Sequence, residues 1–409
     1  MRAFSGPEAS TQGLSPLDYA AIECDPFIFK VLISLQREVN VNAVDEEGLS
    51  VLHRLSAQHF QTTRTEQEWS RLPFQGSLTR QSINTRQTVV AIKRLGGNID
   101  LLTSPQPGSR HRNTSHTPLM MAGLGARPEV VEALLNEGAN PHIENNFGET
   151  ALFCLSQERD EDTRTVQLLC LAGANANHKD HEGIGALINA GLFHDVEVVD
   201  MLLAYGADIL ETYHQRPESP YIGGNVFALL SMLPGRLGDQ DKEGQYELSV
   251  SRLLTKYICS NTDANVRQQV VNGVDNNDRT LLWHYSVNRM EHCVASLIAN
   301  GADVNIAGLQ FRHRRLPSRE KVIDVWRETP LDAALRSKAS LVDDMERDRH
   351  LPISEFNDHC RIYDIIIAAL RDAGGVSAVK QIKTFPETID NLAEGMPGWV
   401  ERMKRCGNI

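Results

Sequence analysis

Residues 134–153 read LLNEGANPHIENNFGETALF, and residues 168–188 repeat the same order of elements as LLCLAGANANHKDHEGIGALI. In both stretches an apolar segment ends in Gly-Ala-Asn, a polar segment follows, and a second glycine precedes the next apolar segment. A third copy begins at residues 202–209, LLAYGADI. The first glycine of each copy (Gly138, Gly173 and Gly206) recurs about every 33–35 residues, a period typical of helical repeat proteins.

The predicted helices carry capping residues at both ends. Thr117-Pro118 places a hydroxyl where it can accept a bond from an unpaired N–H, and a proline where the missing N–H costs nothing. Thr329-Pro330 repeats this pattern. A glycine follows each of four second helices, at Gly138, Gly173, Gly206 and Gly301. We expect these glycines to take the left-handed conformation that ends a helix.

These features resemble the ankyrin repeat family, whose units carry Thr-Pro-Leu-His-x-Ala in a first helix and Gly-Ala-Asp-Val-Asn after a second. The best matches are SHTPLMMAG (115–123), LIANGADVN (297–305) and ETPLDAA (328–334). The resemblance implies an all-α fold, an ankyrin-repeat solenoid of about eight helix-turn-helix units with hairpin fingers, long insertions and a C-terminal helical cap. The divergent units and long insertions are similar to those of fungal ankyrin proteins.

The resemblance also divides the chain. We expect the repeat array at 1–375 and a capping tail at 376–409, with tail helices at 386–395 and 399–405. The units are expected to start near residues 14, 48, 115, 148, 183, 223, 278 and 328. The insertions are expected at 59–84, 102–113, 211–222, 234–246, 307–327 and 338–358.

Length, charge and cysteine usage limit the function classes. A chain of 409 residues exceeds the roughly 250–300 residues at which one core stops growing, which favours several domains or a repeat array. The net charge of −12 argues against a general binder of nucleic acid or anionic membranes. We expect neither a membrane span nor a secretory signal. Seven scattered cysteines without a C-x-x-C pair favour reduced thiols and a cytoplasmic or nuclear location.

The sequence contains no recognisable catalytic motif. It has no G-x-x-x-x-G-K-[ST] loop, no H-E-x-x-H helix and no G-x-S-x-G elbow, so we expect neither enzyme activity nor a cofactor. His178 and His181 lie near Asp180 and Glu182 on a predicted hairpin turn. A metal site needs three or four convergent ligands, so we interpret these residues as ordinary polar residues of the turn.

The ankyrin resemblance implies that a partner protein binds hairpin turns and exposed positions of first helices. Loops on a rigid scaffold commonly carry such specificity. Carried over to this sequence, the expected contact residues are Tyr19, Arg54, Met121, Asn189 and His284 on first helices, and Phe147 on a turn. The aromatic residue Trp283 and four residues of the insertion 307–327 are added to this set on their own chemistry: Arg312, Arg314, Arg315 and Trp326. Trp283 is open to two interpretations, a binding anchor or a core residue, and for Tyr285 we favour the core.

Three classes of function follow from the sequence. The leading hypothesis is a monomeric, non-catalytic adaptor, scaffold or inhibitor that binds an unknown partner protein. A second hypothesis is an enzyme whose site is built from insertions, with Asp18, Glu23, Asp45 or His53 as its titratable groups. A third is a nucleic-acid or lipid binder that works through the basic segment 312–321.

Overall fold

The computed structural model describes a mostly helical chain with one small sheet. The described residues are 15–35, 39–45, 48–57, 78–103, 115–125, 127–155, 159–193, 195–213, 223–231, 240–261, 263–315, 321–347, 353–377 and 383–386. The chain divides into two compact units, Met1–Ala186 with Ala204–Ala207, and Leu187–Leu203 with Asp208–Ile409.

Helices of the first unit form two layers. Along the chain they are α1 (Pro16–Ile22), α2 (Pro26–Ser34), α3 (Val51–Ser56), α4 (Leu78–Arg94), α5 (Pro118–Leu124), α6 (Pro128–Asn136) and α7 (Arg159–Leu171). Helix α1 packs on α3 and α3 on α5, whereas α2 packs on α4, α4 on α6, and α6 on α7. First helices therefore stack on first helices and second helices on second helices, as in an array where each repeat contacts its neighbours.

Helices of the second unit repeat this arrangement. The boundary between the units falls along α8 (Ala186–Leu192) and α9 (Val196–Ala204), which are followed by α10 (Val226–Leu230), α11 (Gln240–Ser260), α12 (Ala264–Asn272), α13 (Leu281–Val287), α14 (Glu291–Ala299), α15 (Pro330–Arg347) and α16 (Ile353–Asp372). Helix α13 packs between α10 and α15, and α14 packs between α11 and α16. Helix α12, which the repeat pattern does not predict, contacts α11 and α13.

The helix starts follow the predicted capping chemistry. The Thr117 hydroxyl accepts a bond at 3.2 Å from the backbone N–H of Met120, directly after Pro118 at the first helical position. Thr329 and Asp332 form a reciprocal pair, in which each side chain accepts a bond from the backbone N–H of the other residue. Both predicted N-caps are therefore confirmed.

The turn glycines also follow the prediction. Gly138, Gly173, Gly206 and Gly301 have φ values between 84° and 89°. A second set of left-handed residues, with φ between 74° and 81°, precedes the first helices at Gly48, Gly148, Gly183 and Gly223. Asp278 stands at the matching position, two residues before the N-cap Thr280, and has φ of 58°. Aspartate tolerates this conformation because its short side chain can hydrogen-bond locally.

The segment 307–327, which is expected to be an insertion, contains two strands. Strands β1 (Gly308–Arg315) and β2 (Lys321–Glu328) are antiparallel, and β3 (Lys383–Pro386) pairs with the other edge of β2. The sequence of β2, KVIDVWRE, is rich in β-branched and aromatic residues, which favours a strand. Within the tail, the described strand β3 ends where the first tail helix was expected to begin. The rest of the expected cap lies outside the described residues.

Three of the predicted insertions are at least partly helical. Helix α4 begins inside the segment 59–84, and α11 begins inside 234–246. The segment 338–358 contains the end of α15 and the start of α16. The other two predicted insertions, 102–113 and 211–222, lie mainly outside the described residues.

Candidate functional site

Four of the residues expected to contact a partner are buried. The exposed fractions are 4% for Arg54, 4% for Met121, 6% for Trp283 and 1% for His284. The resemblance placed Arg54, Met121 and His284 on the accessible side of the first helices. In the structure the four side chains are buried instead, and for Trp283 this favours the core interpretation that the sequence leaves open.

Arg54 instead joins α3 to the hairpin turn before it. Its Nε donates to Oδ2 of Asp45 at 2.6 Å, and both side chains are almost completely buried. The other oxygen of Asp45 accepts the backbone N–H of Leu49 at 3.0 Å. One carboxylate therefore fixes both the turn and the helix that follows.

His284 makes the equivalent contact in the second unit. Its Nε2 lies 3.1 Å from Oδ2 of Asp275, nine residues earlier, which is also the separation of Arg54 from Asp45. Oδ1 of Asp275 accepts the backbone N–H groups of Asn277 and Arg279 at 2.8 and 2.9 Å. We call this arrangement, an acidic turn residue bound to a basic helix residue nine positions later, the turn brace.

His53 stands where the ankyrin motif Thr-Pro-Leu-His-x-Ala has its histidine. Its ring contacts the backbone of two other segments. Its Nδ1 lies 2.8 Å from the hydroxyl of Ser50, and its Nε2 lies 2.8 Å from the carbonyl of Leu101 and 3.1 Å from that of His116. Burial lowers the pKa of His53 to about 4, which keeps the ring neutral near neutral pH. The hydrogen bonds of this ring are structural.

Titratable groups proposed for an enzyme site are also engaged in local structure. Asp18 accepts bonds from the backbone N–H and hydroxyl of Ser15, at 2.7 Å each, and so belongs to the cap of α1. Asp45 belongs to a turn brace, and His53 binds backbone carbonyls. Glu23 is the residue that follows α1.

Trp283 belongs to a buried cluster around Glu328. Its Nε1 donates to Oε1 of Glu328 at 3.3 Å, and the Arg279 guanidinium lies 4.7 Å from the centre of a Trp283 ring. Arg336 donates two bonds to the same carboxylate, at 2.8 and 3.0 Å, and Trp326 Nε1 donates a bond at 3.2 Å. The core interpretation therefore applies to Trp283. It also applies to Tyr285, which is fully buried and donates its hydroxyl to a backbone carbonyl.

Two of the expected contact residues are exposed, Tyr19 with an exposed fraction of 42% and Phe147 with 45%. Asn189 is half-buried. Trp326 is half-buried in β2 and tied to Glu328. The basic residues Arg312, Arg314 and Arg315 lie on β1, where their backbone is described but their side chains are not.

The turn that carries Phe147 is fixed by short hydrogen bonds. Oδ1 of Asn145 accepts the backbone N–H groups of Phe147 and Glu149 at 2.8 and 3.0 Å. The carbonyl of Phe147 accepts the backbone N–H of His181, which lies on the next turn, at 2.9 Å. An ordered backbone thus presents an accessible aromatic ring.

A small cavity of about 170 Å³ lies within the second unit. Its lining includes Thr212, Asn225, Gln269, Asp275, Arg279 and His284. Typical small-molecule pockets measure roughly 300–1,000 Å³, so this cavity is smaller than the usual ligand site. Asp275 and His284, which line this cavity, bind each other in the turn brace.

Stacked helix pairs, hydroxyl N-caps and left-handed turn glycines together define a helical repeat protein. A family model described as ankyrin repeats, in three copies, matches residues 119–213, and the chain therefore carries ankyrin repeats. Repeats of this kind are a protein-interaction module. Among the described residues, no helix is both long and apolar enough to cross a membrane.

Curated relatives match part of the chain. Ankyrin repeat and SOCS box protein 6 of Homo sapiens is 30% identical over 152 residues, which are 34% of this chain and 34% of that protein, and the Pongo abelii protein of the same name gives the same values. B-cell lymphoma 3 protein homolog of Mus musculus is 26% identical over 176 residues, 42% of this chain and 36% of that protein. The match spans about a third of the length of each relative.

Proposed function

We propose that this chain is a non-catalytic adaptor, scaffold or inhibitor that binds a partner protein along its hairpin turns. The observation that supports this proposal best is the accessible ring of Phe147 on a turn held by Asn145 and His181. Binding to a surface that is ordered beforehand costs less conformational entropy than binding to a loop that must become ordered.

Because of the turn brace, we propose that the contact surface lies on the hairpin turns rather than on the first helices. Arg54 and His284 are committed to Asp45 and Asp275, so a partner would have to break a buried pair to reach them. The turns have no such conflict, since Phe147 projects from a backbone whose polar groups are already satisfied. Aromatic side chains are enriched among the anchors of protein interfaces.

The ankyrin repeats of the relatives support the same proposal. Two of the three relatives carry ankyrin repeats in their names, and the matched family is defined by these repeats. The names of these two relatives also include a SOCS box, which we do not propose for this chain.

A comparison of two phenylalanine variants tests the proposal. Phe147→Ala and Phe193→Ala remove side chains of similar exposure, 45% and 49%, and Phe193 lies outside the hairpin turns. Each full-length variant is used as bait in an extract of the native cell, and bound proteins are quantified by mass spectrometry against the unmodified chain. A partner found this way is then purified and its affinity for each variant measured.

We expect Phe147→Ala to weaken the partner at least about tenfold, and Phe193→Ala to leave the affinity unchanged, because truncating an interface anchor costs more than about 1 kcal/mol. Equal thermal melting of the two variants would show that folding is not the cause. Equal partner affinity for both variants, or no protein enriched over a bead control, would contradict the proposal.

A further inference from the structure

One buried cluster is not used by the proposed function. It consists of His116, Glu149 and Cys154, in the first unit. One imidazole nitrogen, one carboxylate oxygen and the thiol sulfur lie within 4.8 Å of one another. His116 and Cys154 are buried, with exposed fractions of 9% and 3%, and Glu149 is half-buried. Three different donor types thus lie close together, and the carboxylate is the least buried of them.

Stacking of neighbouring repeats brings these groups together. His116 and Glu149 hold the same position in consecutive repeats, directly before Thr117 and Thr150. The backbone of His116 is fixed by Thr103, which donates its N–H to the His116 carbonyl at 2.9 Å and accepts the His116 N–H on its hydroxyl at 2.8 Å. His116 and Glu149 are far apart in the sequence, and their side chains are close because consecutive repeats stack on each other.

Cys154 stands at the sequence position that corresponds to Arg54 and His284 of the turn brace, although it follows a turn rather than lying on a helix. It follows Asn145 by nine residues, the same spacing that joins Arg54 to Asp45 and His284 to Asp275. In this repeat an asparagine stands in place of the acidic residue and a cysteine in place of the basic residue, so the paired side chains of the turn brace are replaced. A thiol, an imidazole and a carboxylate occupy the space beside it.

We propose that His116, Glu149 and Cys154 bind one zinc ion. Zinc accepts nitrogen, oxygen and thiolate ligands, and a site with three protein ligands leaves a fourth tetrahedral position for water. The thiol selects zinc over magnesium or calcium, which prefer oxygen ligands only. On binding, the Cys154 thiol releases its proton to solvent and the thiolate sulfur bonds to the cation.

Asn145 supplies the outer shell of this site. Its Nδ2 donates to Oε2 of Glu149 at 2.6 Å, which orients the carboxylate. Its Oδ1 is held by the backbone N–H groups of the turn. Outer-shell contacts of this kind typically change metal affinity about 10–100-fold. A bound zinc ion would tie two consecutive hairpin turns together.

Metal binding by the full chain tests the proposal. The chelator-treated protein is dialysed against zinc, bound metal is quantified, and cobalt(II) replaces zinc to reveal a sulfur-to-cobalt charge-transfer absorption. Cys154→Ser is compared with Cys293→Ser, which removes another buried thiol whose neighbour is the Glu247 backbone carbonyl. We expect about one zinc per chain, a higher melting temperature with zinc, and a loss of more than about 100-fold in affinity in Cys154→Ser only.

A second variant keeps the test informative if Cys154→Ser does not fold. Glu149→Gln preserves the size of a half-buried side chain and removes its charge, and it should also weaken zinc while its metal-free melting temperature stays near that of the unmodified chain. The proposal is overturned if no zinc binds, or if the cobalt–thiolate absorption is equal in Cys154→Ser and Cys293→Ser. Neither result depends on Phe147 or on partner capture.

Discussion

His284 and Asp275 form a buried pair that joins a helix to the turn before it. Nε2 of His284 lies 3.1 Å from Oδ2 of Asp275, and Oδ1 of Asp275 holds the backbone N–H groups of Asn277 and Arg279. The same relationship, at the same separation of nine residues, joins Arg54 to Asp45 in the first unit. The repeat thus uses one carboxylate to fix two structural elements.

Removing the histidine of this pair should destabilise the second unit. His284→Ala leaves one oxygen of a buried carboxylate without its side-chain partner, and we expect the free energy of unfolding to fall by about 1–3 kcal/mol. Urea denaturation followed by circular dichroism measures this change. His292→Ala, which removes an exposed histidine, is the control and should change stability by less than about 0.5 kcal/mol. Equal effects of the two substitutions would contradict the structural role of the pair.

Trp283 should be required for folding rather than for partner contact. Trp283→Ala opens a cavity beside Glu328 and removes the indole N–H bond, so we expect a loss of about 3–5 kcal/mol in unfolding free energy. Trp283→Phe keeps most of the ring volume and should lose less. Thermal melting distinguishes the two. A melting temperature of Trp283→Ala equal to that of the unmodified chain would show that Trp283 is not a core residue.

The repeat and its ends could be predicted from the sequence because their signals are local. A threonine before a proline and a glycine after an apolar helix act within a few residues, so Thr117, Thr329 and the left-handed glycines are predicted correctly. The strand pair 308–328 has a local signal as well, the β-branched run of β2. The strands are not predicted, because the segment interrupts a helical repeat and is interpreted as an insertion.

Burial of the candidate site residues could not be predicted in the same way. Whether Arg54 or His284 faces solvent depends on a carboxylate nine residues earlier, which is beyond the range of helix periodicity. A signal for the pairing exists, since Asp45–Arg54 and Asp275–His284 share their spacing. It becomes informative only when a structure shows that a hairpin turn folds back onto the next helix.

Two turn glycines should respond differently to the same substitution. Gly138 and Gly148 both have positive φ, 89° and 78°, so Gly→Ala strains the backbone by about 1–2 kcal/mol at either position. An added Cβ at Gly138 meets no atom within 4 Å, whereas at Gly148 it lies 2.9 Å from the backbone nitrogen of His181. We therefore expect Gly148→Ala to lose at least about 1 kcal/mol more than Gly138→Ala in urea denaturation. Equal losses would show that the two turns are not packed against each other.

The thiols should differ sharply in their reaction with iodoacetamide in the metal-free folded chain. Cys259 is exposed, whereas Cys154 and Cys293 are buried, and burial raises the pKa of both buried thiols. Burial also raises the pKa of the half-buried Cys170 to about 11. Because the thiolate is the reactive form, a raised pKa lowers the reactive fraction at pH 8, and burial blocks access as well. We expect peptide mapping to find Cys259 alkylated before Cys154, Cys170 and Cys293, and these four thiols alkylated at similar rates in urea. Rapid alkylation of Cys154 or Cys293 in the folded chain would contradict their burial in the repeat core.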